Sequence, residues 1–516
     1  MRRRIVAVIA GFAVAMAAMT VSVVSQPNGL DNSMYFYSDV RDADACRGLT
    51  YDAATEAYVW PAGITNPAMT CPDAFGWTQF ADAIRDAFWA NWAFDTFMWP
   101  AEPLALCEPG GTNCCDPTSN TNPGYDNPGN PALHCPFFPG DHGGLDGTIV
   151  PTGAHDIAAP THGIIAQTDP GRVLREEEAE IVYRNRPFFE YAFAENLYNQ
   201  EGLGARYTAT TAGVTANAPY RATNAAIGFP SDAVMFKTDW IHQDHMLEMG
   251  LIEEQPDGPP NNPDAPYITM LISEVIGDND PDSFKPGLYY LVGIAGAAKA
   301  VPNWHWYAFE HVANLGRCDY IGCNDAFGYD AEGVPDGFYA NFVPPHQASD
   351  GLVTPSPVFV TGEAYPPGTI TMSLDALFAA AGIGTGTADA DPNTPSLDDP
   401  AWRSYRLKGT QTEFTTSYGI PIIVGQSISE GGFVNSASCM TCHAQATVNA
   451  AGTPAIASFG SSYLLNLTGY HQSTNGPPVP SWFFAPNRPN YTALQTDFVW
   501  GIFNANSIAA TPAPTP

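Results

Sequence analysis

The spacing of apolar residues along the chain predicts three helices. Aromatic and aliphatic side chains recur at helical intervals over residues 77–99, which predicts the first. A second is predicted over residues 174–199, because glutamates stand near its positive end, with an interruption at Pro187. A third, shorter helix is predicted over residues 374–381, with Ser373 capping its start.

Continuous apolar runs predict buried strands at residues 289–294 and 421–424. Helices and strands in a chain rich in glycine and proline predict a mixed α+β, loop-rich fold. Stretches rich in proline, asparagine and aspartate at 254–265 and 386–400 are expected to be linkers or long surface loops. The chain is therefore divided into a signal peptide (1–25), an N-terminal body with a cysteine-rich loop region (26–265), a middle region (266–400) and a C-terminal region (401–516).

The composition is that of a chain with a sizeable core and a strongly acidic charge. Hydrophobic residues make up 45% of the 516 positions. The 53 acidic residues face only 20 basic ones, so the formal net charge is −33. We therefore expect no nucleic-acid partner and no binding to anionic membrane surfaces, whereas a basic partner or a cationic substrate is favoured.

The N-terminal residues predict export. Three arginines at positions 2–4 precede an apolar run over residues 5–24, and small residues occur up to Ser25. This pattern is typical of a signal peptide cleaved near Ser25, so the mature chain is expected to be periplasmic or otherwise exported. The run is long enough to span a bilayer if it were kept. We expect cleavage, and no membrane insertion afterwards, because the run is rich in alanine and valine rather than leucine.

Ten cysteines in an exported chain are expected to be oxidised or to bind a ligand. Eight of them form an even set that predicts four disulfides between near neighbours, with a zinc site as the less favoured alternative. Cys318 and Cys323 flank a four-residue loop and are expected to pair with each other. The eight are Cys46, Cys71, Cys107, Cys114, Cys115, Cys135, Cys318 and Cys323.

The remaining two cysteines lie in the motif Cys439-Met440-Thr441-Cys442-His443. A C-x-x-C-H sequence is the attachment signature of c-type haem. On a helical turn the two thiols meet the vinyl groups of the macrocycle, and the histidine projects on the same face to ligate iron. The flanking residues predict a capped helix start rather than the βαβ surroundings of a thioredoxin-like dithiol. We therefore predict one covalent haem c on Cys439 and Cys442, with His443 as proximal iron ligand; a structural disulfide or a redox dithiol is the alternative.

The motif, together with residues 304–318, 405–411, 430–433 and 495–500, carries a resemblance to known proteins. With these segments the chain resembles large, single-haem bacterial proteins of the cytochrome c family. The resemblance implies an exported haem protein, without implying a particular reaction.

The sixth ligand of the iron is the open question of this site. Small cytochromes c use a methionine, usually located after the haem motif, and this chain has no methionine beyond Met440. The C-terminal region is therefore predicted not to be an ordinary Met-ligated small cytochrome c domain. We favour His311, which stands beside Glu310 in an aromatic segment that could shield a haem from water. If this segment is helical, His305 points to a different face of the helix from His311. The alternatives are His471, an upstream methionine such as Met246 or Met270, and an open site.

Two functions are compatible with these features. The first is an exported c-type cytochrome that binds one haem and exchanges electrons with a redox partner protein, for which the acidic charge favours a basic surface. The second is a haem c-dependent oxidoreductase, oxidase or peroxidase-like, with a substrate cavity in the upstream body. The length before the motif favours the enzyme, and the lack of a recognisable catalytic group favours the cytochrome. A haem-based sensor ranks third.

Overall fold

The structure is a computed structural model, and it describes fifteen stretches of the chain. These are residues 42–145, 149–151, 178–216, 226–272, 274–276, 286–318, 321–331, 342–343, 364–386, 391–417, 419–430, 434, 437–456, 475–485 and 491–508. The predicted signal peptide and His471 lie outside them. Within the described residues the fold is mixed α and β, with several antiparallel sheets, as predicted. No helix among them is long and apolar enough to cross a membrane.

The helices and strands are short, apart from a few in the centre of the structure. The strands are β1 (Thr50–Asp52), β2 (Ala57–Val59), β3 (Ala93–Phe94), β4 (Ile149–Pro151), β5 (Glu178–Arg184), β6 (Val234–His242), β7 (Thr269–Ile272), β8 (Glu274–Ile276), β9 (Gly287–Ala298), β10 (His305–His311), β11 (Cys323–Asn324), β12 (Tyr329–Asp330), β13 (Phe342–Val343), β14 (Thr369–Ile370), β15 (Tyr405–Gln411), β16 (Thr447–Val448) and β17 (Leu494–Gln495). The α-helices are α1 (Pro67–Thr70), α2 (Pro72–Arg85), α3 (Phe88–Asn91), α4 (Asp95–Met98), α5 (Arg186–Ala194), α6 (Gln200–Ala216), α7 (Gln243–Glu248), α8 (Met372–Ala381) and α9 (Cys439–His443).

A seven-stranded antiparallel sheet forms the centre, in the order β15-β10-β9-β6-β5-β3, with β7 also paired to β9. The 12-residue strand β9 contains the predicted strand 289–294, which is thereby confirmed. Its first residues pair with β7 and its later ones with β10, while β6 runs along its other edge. The sheet takes strands from all three predicted regions beyond the signal peptide; the division into domains itself stays a prediction.

The two faces of the sheet are named here by the side chains of β10, which alternate between them. On the α2 face lie His305, Tyr307, Phe309 and His311; on the motif face lie Trp306, Ala308 and Glu310. Helix α2 packs on the first face, where the Trp77 ring meets that of Phe309 at 4.7 Å between centroids. Gly296 of β9 lies under the Tyr307 ring, whose atoms would come within 2.3 Å of a Cβ at that position. The close approach explains why glycine is needed there.

The helix predicted over residues 77–99 is confirmed only in its first part. Helix α2 ends at Arg85, and Ala87 adopts a left-handed conformation with φ of 49°. A residue in this conformation cannot continue a right-handed helix. The rest of the segment therefore folds as the short elements α3, β3 and α4.

The prediction of one helix over residues 174–199 is wrong for the residues that the structure describes. Strand β5 pairs with β6 along its length, and alternate side chains from Ala179 to Tyr183 are buried. Helix α5 starts only after Asn185, whose side chain accepts a backbone N–H of the first turn. Pro187 lies in that first turn, where a backbone N–H would have no acceptor within the helix. It therefore helps to begin the helix and does not interrupt it.

The two remaining predicted elements have different outcomes. The short helix is confirmed as α8, but its cap is Thr371 rather than Ser373, because Thr371 Oγ1 accepts the N–H of Leu374 at 3.2 Å. Residues 421–424 form no strand; Pro421 and Val424 make single bridges to other loops. The apolar run is therefore a buried loop segment that crosses the motif face.

Four cysteine pairs lie at disulfide distance, and all are close in sequence, as predicted. They are Cys46–Cys71, Cys107–Cys114, Cys115–Cys135 and Cys318–Cys323. The pairing uses all eight cysteines outside the C-x-x-C-H motif. Cross-links of this kind stabilise loops that have little regular structure.

Candidate haem-attachment site

The C-x-x-C-H motif forms a short helix of its own, α9. The helix begins after Ser438, whose Oγ accepts the N–H of Thr441 at 3.3 Å, and this confirms the predicted capped start. Cys439 and Cys442 take part in no disulfide and are half-buried. Both are therefore thiols, the form from which thioether bonds to a haem are made.

Gln411, at the end of β15, anchors the start of this helix to the central sheet. Its buried side chain donates from Nε2 to Ser438 Oγ at 2.8 Å, and its Oε1 accepts the N–H of Met440 at 3.3 Å. The N–H of Cys439 donates to the carbonyl of Val424 at 3.1 Å. The backbone around the first cysteine of the motif is thus held by hydrogen bonds to two separate segments.

His443 is oriented by a backbone carbonyl and by an aromatic ring. Its Nδ1 lies 2.8 Å from the carbonyl oxygen of Phe498, and its ring centroid lies 4.5 Å from that of Trp306. A hydrogen on Nδ1 that bonds a carbonyl leaves Nε2 as the nitrogen able to ligate a metal. Removal from water lowers the pKa of His443 to about 4, so the imidazole is neutral near pH 7, as ligation requires.

The carbonyl that orients His443 comes from an unusual turn. Asp497 and Phe498 both have positive φ, 52° and 70°, which non-glycine residues rarely adopt. The Asp497 carboxylate stabilises the turn, because it accepts Lys299 Nζ at 2.5 Å and the N–H of Phe229 at 2.8 Å. Backbone strain of this type persists only where the surrounding structure imposes it. Here the strained turn directs the Phe498 carbonyl towards His443.

The two thiols lie in surroundings that keep them protonated. Burial is the main cause, and it raises the pKa of Cys442 to about 12 and that of Cys439 well above its usual range. The negative charge of Glu430 acts in the same direction on both. Neither sulfur is therefore a thiolate at neutral pH, which distinguishes the pair from a reactive redox dithiol.

The sheet beneath the motif presents small residues. Cross-strand pairing places Lys237, Ala295, Ala308 and Gly409 in one row on the motif face, and side chains in such a row point the same way. Ala308 belongs to a small buried cluster with Ile422 and Val424, and Cys439 of the motif packs against this cluster. Ala295 is half-buried although it lies in the middle of a central strand whose neighbouring residues are buried. The row therefore presents only small residues between Lys237 and the edge strand β15 on the motif face.

Two ion pairs lie on the motif face. Lys237 Nζ lies 3.1 Å from Glu180 Oε2, with both side chains about one-fifth exposed at 21% and 19%. Lys408 Nζ lies 3.0 Å from Glu310 Oε1, and both of these side chains are fully buried. The motif face thus carries charged groups as well as small apolar ones.

The structure does not bring His311 to the motif. The side chain of His311 lies on the α2 face, stacked on Tyr267 with 3.4 Å between ring centroids. Its Nε2 lies 3.2 Å from the Pro266 carbonyl oxygen, and its Nδ1 accepts the N–H of Ala313 at 3.2 Å. Ligation of iron would require His311 to give up one of these bonds and to reach the other face of the sheet, so His311 stays a prediction that these contacts do not support.

The other upstream candidates are also buried elsewhere. His305 shares the α2 face with His311, because the segment is a strand rather than a helix, and its Nε2 lies 2.9 Å from the Pro72 carbonyl oxygen. Met246 packs in an apolar cluster with Tyr267 and Tyr290, and Met270 lies on β7 in the main core. Among the described residues, no group of three or more His, Cys, Asp or Glu side chains is arranged to hold a metal ion. A haem iron needs only one or two ligands from the chain.

Some residues of the site were not found from the sequence. Gln411 and the turn at 497–498 lie in segments that carry the resemblance, so a signal for them was present. Lys237 lies in a strand that also contains Thr238, Asp239 and His242, so its sequence context carries no signal that sets it apart. Comparisons with family models, with curated proteins and with solved structures found no match for the chain.

Proposed function

We propose that the chain is an exported c-type cytochrome that binds one haem covalently through Cys439 and Cys442, with His443 as proximal ligand, and that transfers electrons. The observation that carries the proposal is the arrangement of the motif. Eight of the ten cysteines pair elsewhere, and the other two share a helical turn with a histidine whose Nδ1 is bonded to a carbonyl. A structural disulfide or a redox dithiol has no need of a histidine held in this way.

The residues around the motif fit a haem. Trp306 and Phe498 provide aromatic surface beside His443, and Cys439 packs against the small buried cluster that contains Ala308. When bound, the haem supplies a one-electron iron couple. The chain holds it through the two sulfurs, orients the imidazole through the Phe498 carbonyl and shields it from water with the two aromatic rings.

Export and the partner are inferred from the sequence and the cysteine pairing. Four local disulfides favour an oxidising compartment such as the periplasm, where haem c is attached. The net charge of −33 supports a basic redox partner protein, since opposite charges steer the encounter.

The proposal is tested by producing the chain, with its N-terminal segment, in bacteria that attach haem c. Purified protein should stain for haem after denaturing electrophoresis, and its mass should exceed that of the chain by one haem. Cys439→Ala combined with Cys442→Ala should abolish both signals. A matched control removes another cysteine pair, Cys107→Ser with Cys114→Ser, and should keep the haem because that disulfide closes a short loop of its own outside the motif helix. Covalent haem in the Cys439/Cys442 variant, or none in the wild type, would overturn the proposal.

A haem-dependent oxidoreductase is the second candidate, and two partly exposed positions on the motif face favour it. Lys237 is partly exposed in β6, whose other residues are buried, and Ala295 is partly exposed between buried neighbours in β9, whereas a pure electron shuttle needs no exposed position there. Absorption spectra of the reduced protein with and without carbon monoxide separate the two. A low-spin spectrum that carbon monoxide does not change supports the cytochrome, whereas ready binding supports the enzyme.

A further inference from the structure

Arg317 is a buried cation whose hydrogen bonds, among the described residues, reach no carboxylate. Its Nη1 donates to Cys318 Sγ at 3.1 Å and lies 3.6 Å from Cys323 Sγ, and its Nη2 donates to the carbonyl of Pro366 at 2.9 Å. Its buried Nε finds no acceptor within the part of the chain that the structure describes. A guanidinium buried without an anion is costly, so its position beside two sulfurs needs an explanation.

The charges around Arg317 do not supply the missing anion. The carboxylate of Glu310 acts favourably on Arg317, but it is itself paired with Lys408 at 3.0 Å. Burial, followed by the positive charge of Arg406, lowers the pKa of Arg317 to about 10, so its guanidinium is still a cation at neutral pH. The two sulfurs therefore lie beside a net positive charge, although the chain as a whole has a charge of −33.

The disulfide beside Arg317 supplies an anion when it is reduced. A disulfide sulfur is a weak, neutral acceptor, whereas a thiolate is an anion that a guanidinium binds strongly. A neighbouring positive charge lowers the pKa of a thiol, and a stabilised thiolate makes its disulfide easier to reduce. Among the described residues, no lysine or arginine donates to a sulfur of the other three disulfides. Cys318–Cys323 therefore differs from them in its electrostatic surroundings.

We infer that Cys318–Cys323 is a redox-active disulfide, and that an ion pair between the Cys318 thiolate and Arg317 stabilises its reduced form. The reductant that fits this chemistry is a dithiol. The inference goes beyond the proposed function and does not depend on haem.

The reduction takes place in two exchange steps. One thiolate of the dithiol attacks Cys323, the less buried of the two cysteines at 5% against 0%, and forms a mixed disulfide with it. The bond between Cys318 and Cys323 breaks, and its electron pair stays on Cys318, the sulfur closer to Arg317. The second thiol of the dithiol then displaces Cys323 and transfers its proton to that sulfur. Two electrons have passed to the chain, which holds one thiolate and one thiol, and the dithiol has become a disulfide.

The test measures the reduction of each disulfide in the purified full-length chain. The protein is equilibrated with mixtures of reduced and oxidised dithiothreitol, free thiols are alkylated, and each cysteine pair is quantified by mass spectrometry. Cys318–Cys323 should be reduced more readily than Cys107–Cys114, which also closes a short loop. In Arg317→Met the equilibrium constant for its reduction should fall about ten- to a hundredfold, the contribution of one charged hydrogen bond, or about 30–60 mV. The constant for Cys107–Cys114 should not change.

Two further variants keep the inference testable if Arg317→Met folds poorly. Arg317→Lys keeps the positive charge and should retain most of the effect. Cys323→Ser leaves Cys318 as a thiol, whose pKa is measured from the pH dependence of its alkylation. Burial alone would raise this pKa, so a value below the usual one of about 8.5 requires the guanidinium.

Three results would each overturn the inference. The first is a Cys318–Cys323 pair that is reduced no more readily than Cys107–Cys114. The second is an unchanged equilibrium constant in Arg317→Met, and the third is a Cys318 pKa in Cys323→Ser that is not lowered. A chain without covalent haem would overturn only the proposed function, because none of these measurements involves the haem motif.

Discussion

The buried ion pair between Glu310 and Lys408 allows the sharpest test of the structure. The two side chains are 1% and 2% exposed, and Glu310 also accepts the N–H of Ser427 at 2.7 Å and its hydroxyl at 2.5 Å. Lys408→Met leaves the carboxylate buried without its cation, a change that costs about 3–5 kcal/mol in unfolding free energy. Because both bonds from Ser427 remain, we expect a loss near the lower end, about 3 kcal/mol.

Removing both charges should cost less than removing one. In Glu310→Leu combined with Lys408→Met no charge is left buried, and the remaining penalty is the lost acceptor for Ser427, about 1–2 kcal/mol. The assay is urea unfolding with disulfides intact, followed by far-ultraviolet circular dichroism. Arg47→Met is the control, since Arg47 and Asp330 also lie 3.1 Å apart but are 42% and 46% exposed, and its loss should be below about 1 kcal/mol.

A Lys408→Met variant as stable as Arg47→Met would refute the reasoning. The same holds for a double variant less stable than Lys408→Met alone, because the cost would then arise from packing rather than from an uncompensated charge.

Three further predictions concern the turn, the pH dependence and the anchor of the motif. Asp497→Ala should lower the unfolding free energy by about 3 kcal/mol. Asp497→Asn should lower it by about half as much, because asparagine tolerates positive φ and keeps one hydrogen-bond acceptor. Equal losses for the two variants in urea unfolding would contradict this prediction. Burial, followed by the negative charge of Asp73, raises the pKa of Asp325 to about 7, so the folded state binds this proton more tightly than the unfolded state. Stability should therefore fall as pH rises from about 4 to about 8, and Asp325→Asn should flatten that fall in unfolding measured across this range. Gln411→Leu removes both bonds to the start of the motif helix and should lower the haem-to-chain ratio measured by absorbance; an unchanged ratio would count against the anchoring role of Gln411.

Features that depend on neighbouring residues were predictable from the sequence. The capped start of the motif helix follows from Ser438 and the C-x-x-C-H spacing, and the Cys318–Cys323 pair follows from a short loop. In both cases the interacting groups are only a few residues apart. The cap of α8 shows the limit of such reasoning, because Thr371 and Ser373 have equivalent hydroxyls and only the backbone conformation selects Thr371.

Features that depend on strand pairing were not predictable. The glutamates before Ile181 resemble the start of a helix, but pairing with β6 makes this segment a strand. His311 directly follows Glu310, which lies on the motif face, yet the alternation of side chains along β10 places His311 on the α2 face. Lys237 shares a cross-strand row with Ala295 and Ala308 only because β6, β9 and β10 pair in this register. A single sequence contains no direct record of such long-range register.

The lysines that the structure describes lie on the motif face or support the turn beside His443, and this gives the site an electrostatic character different from that of the acidic chain as a whole. Three of the four lysines are described, and each forms an ion pair with an acid: Lys237 with Glu180, Lys299 with Asp497, and Lys408 with Glu310. Two of these pairs lie on the motif face, and the third stabilises the turn that bonds His443. Salt screens exposed charges much more than buried pairs. Attraction of a basic partner by the net charge of −33 should therefore weaken with ionic strength, while the field that these pairs create at the proposed haem changes little. Under the proposed function, we therefore expect partner docking and reduction potential to depend on separate sets of charges.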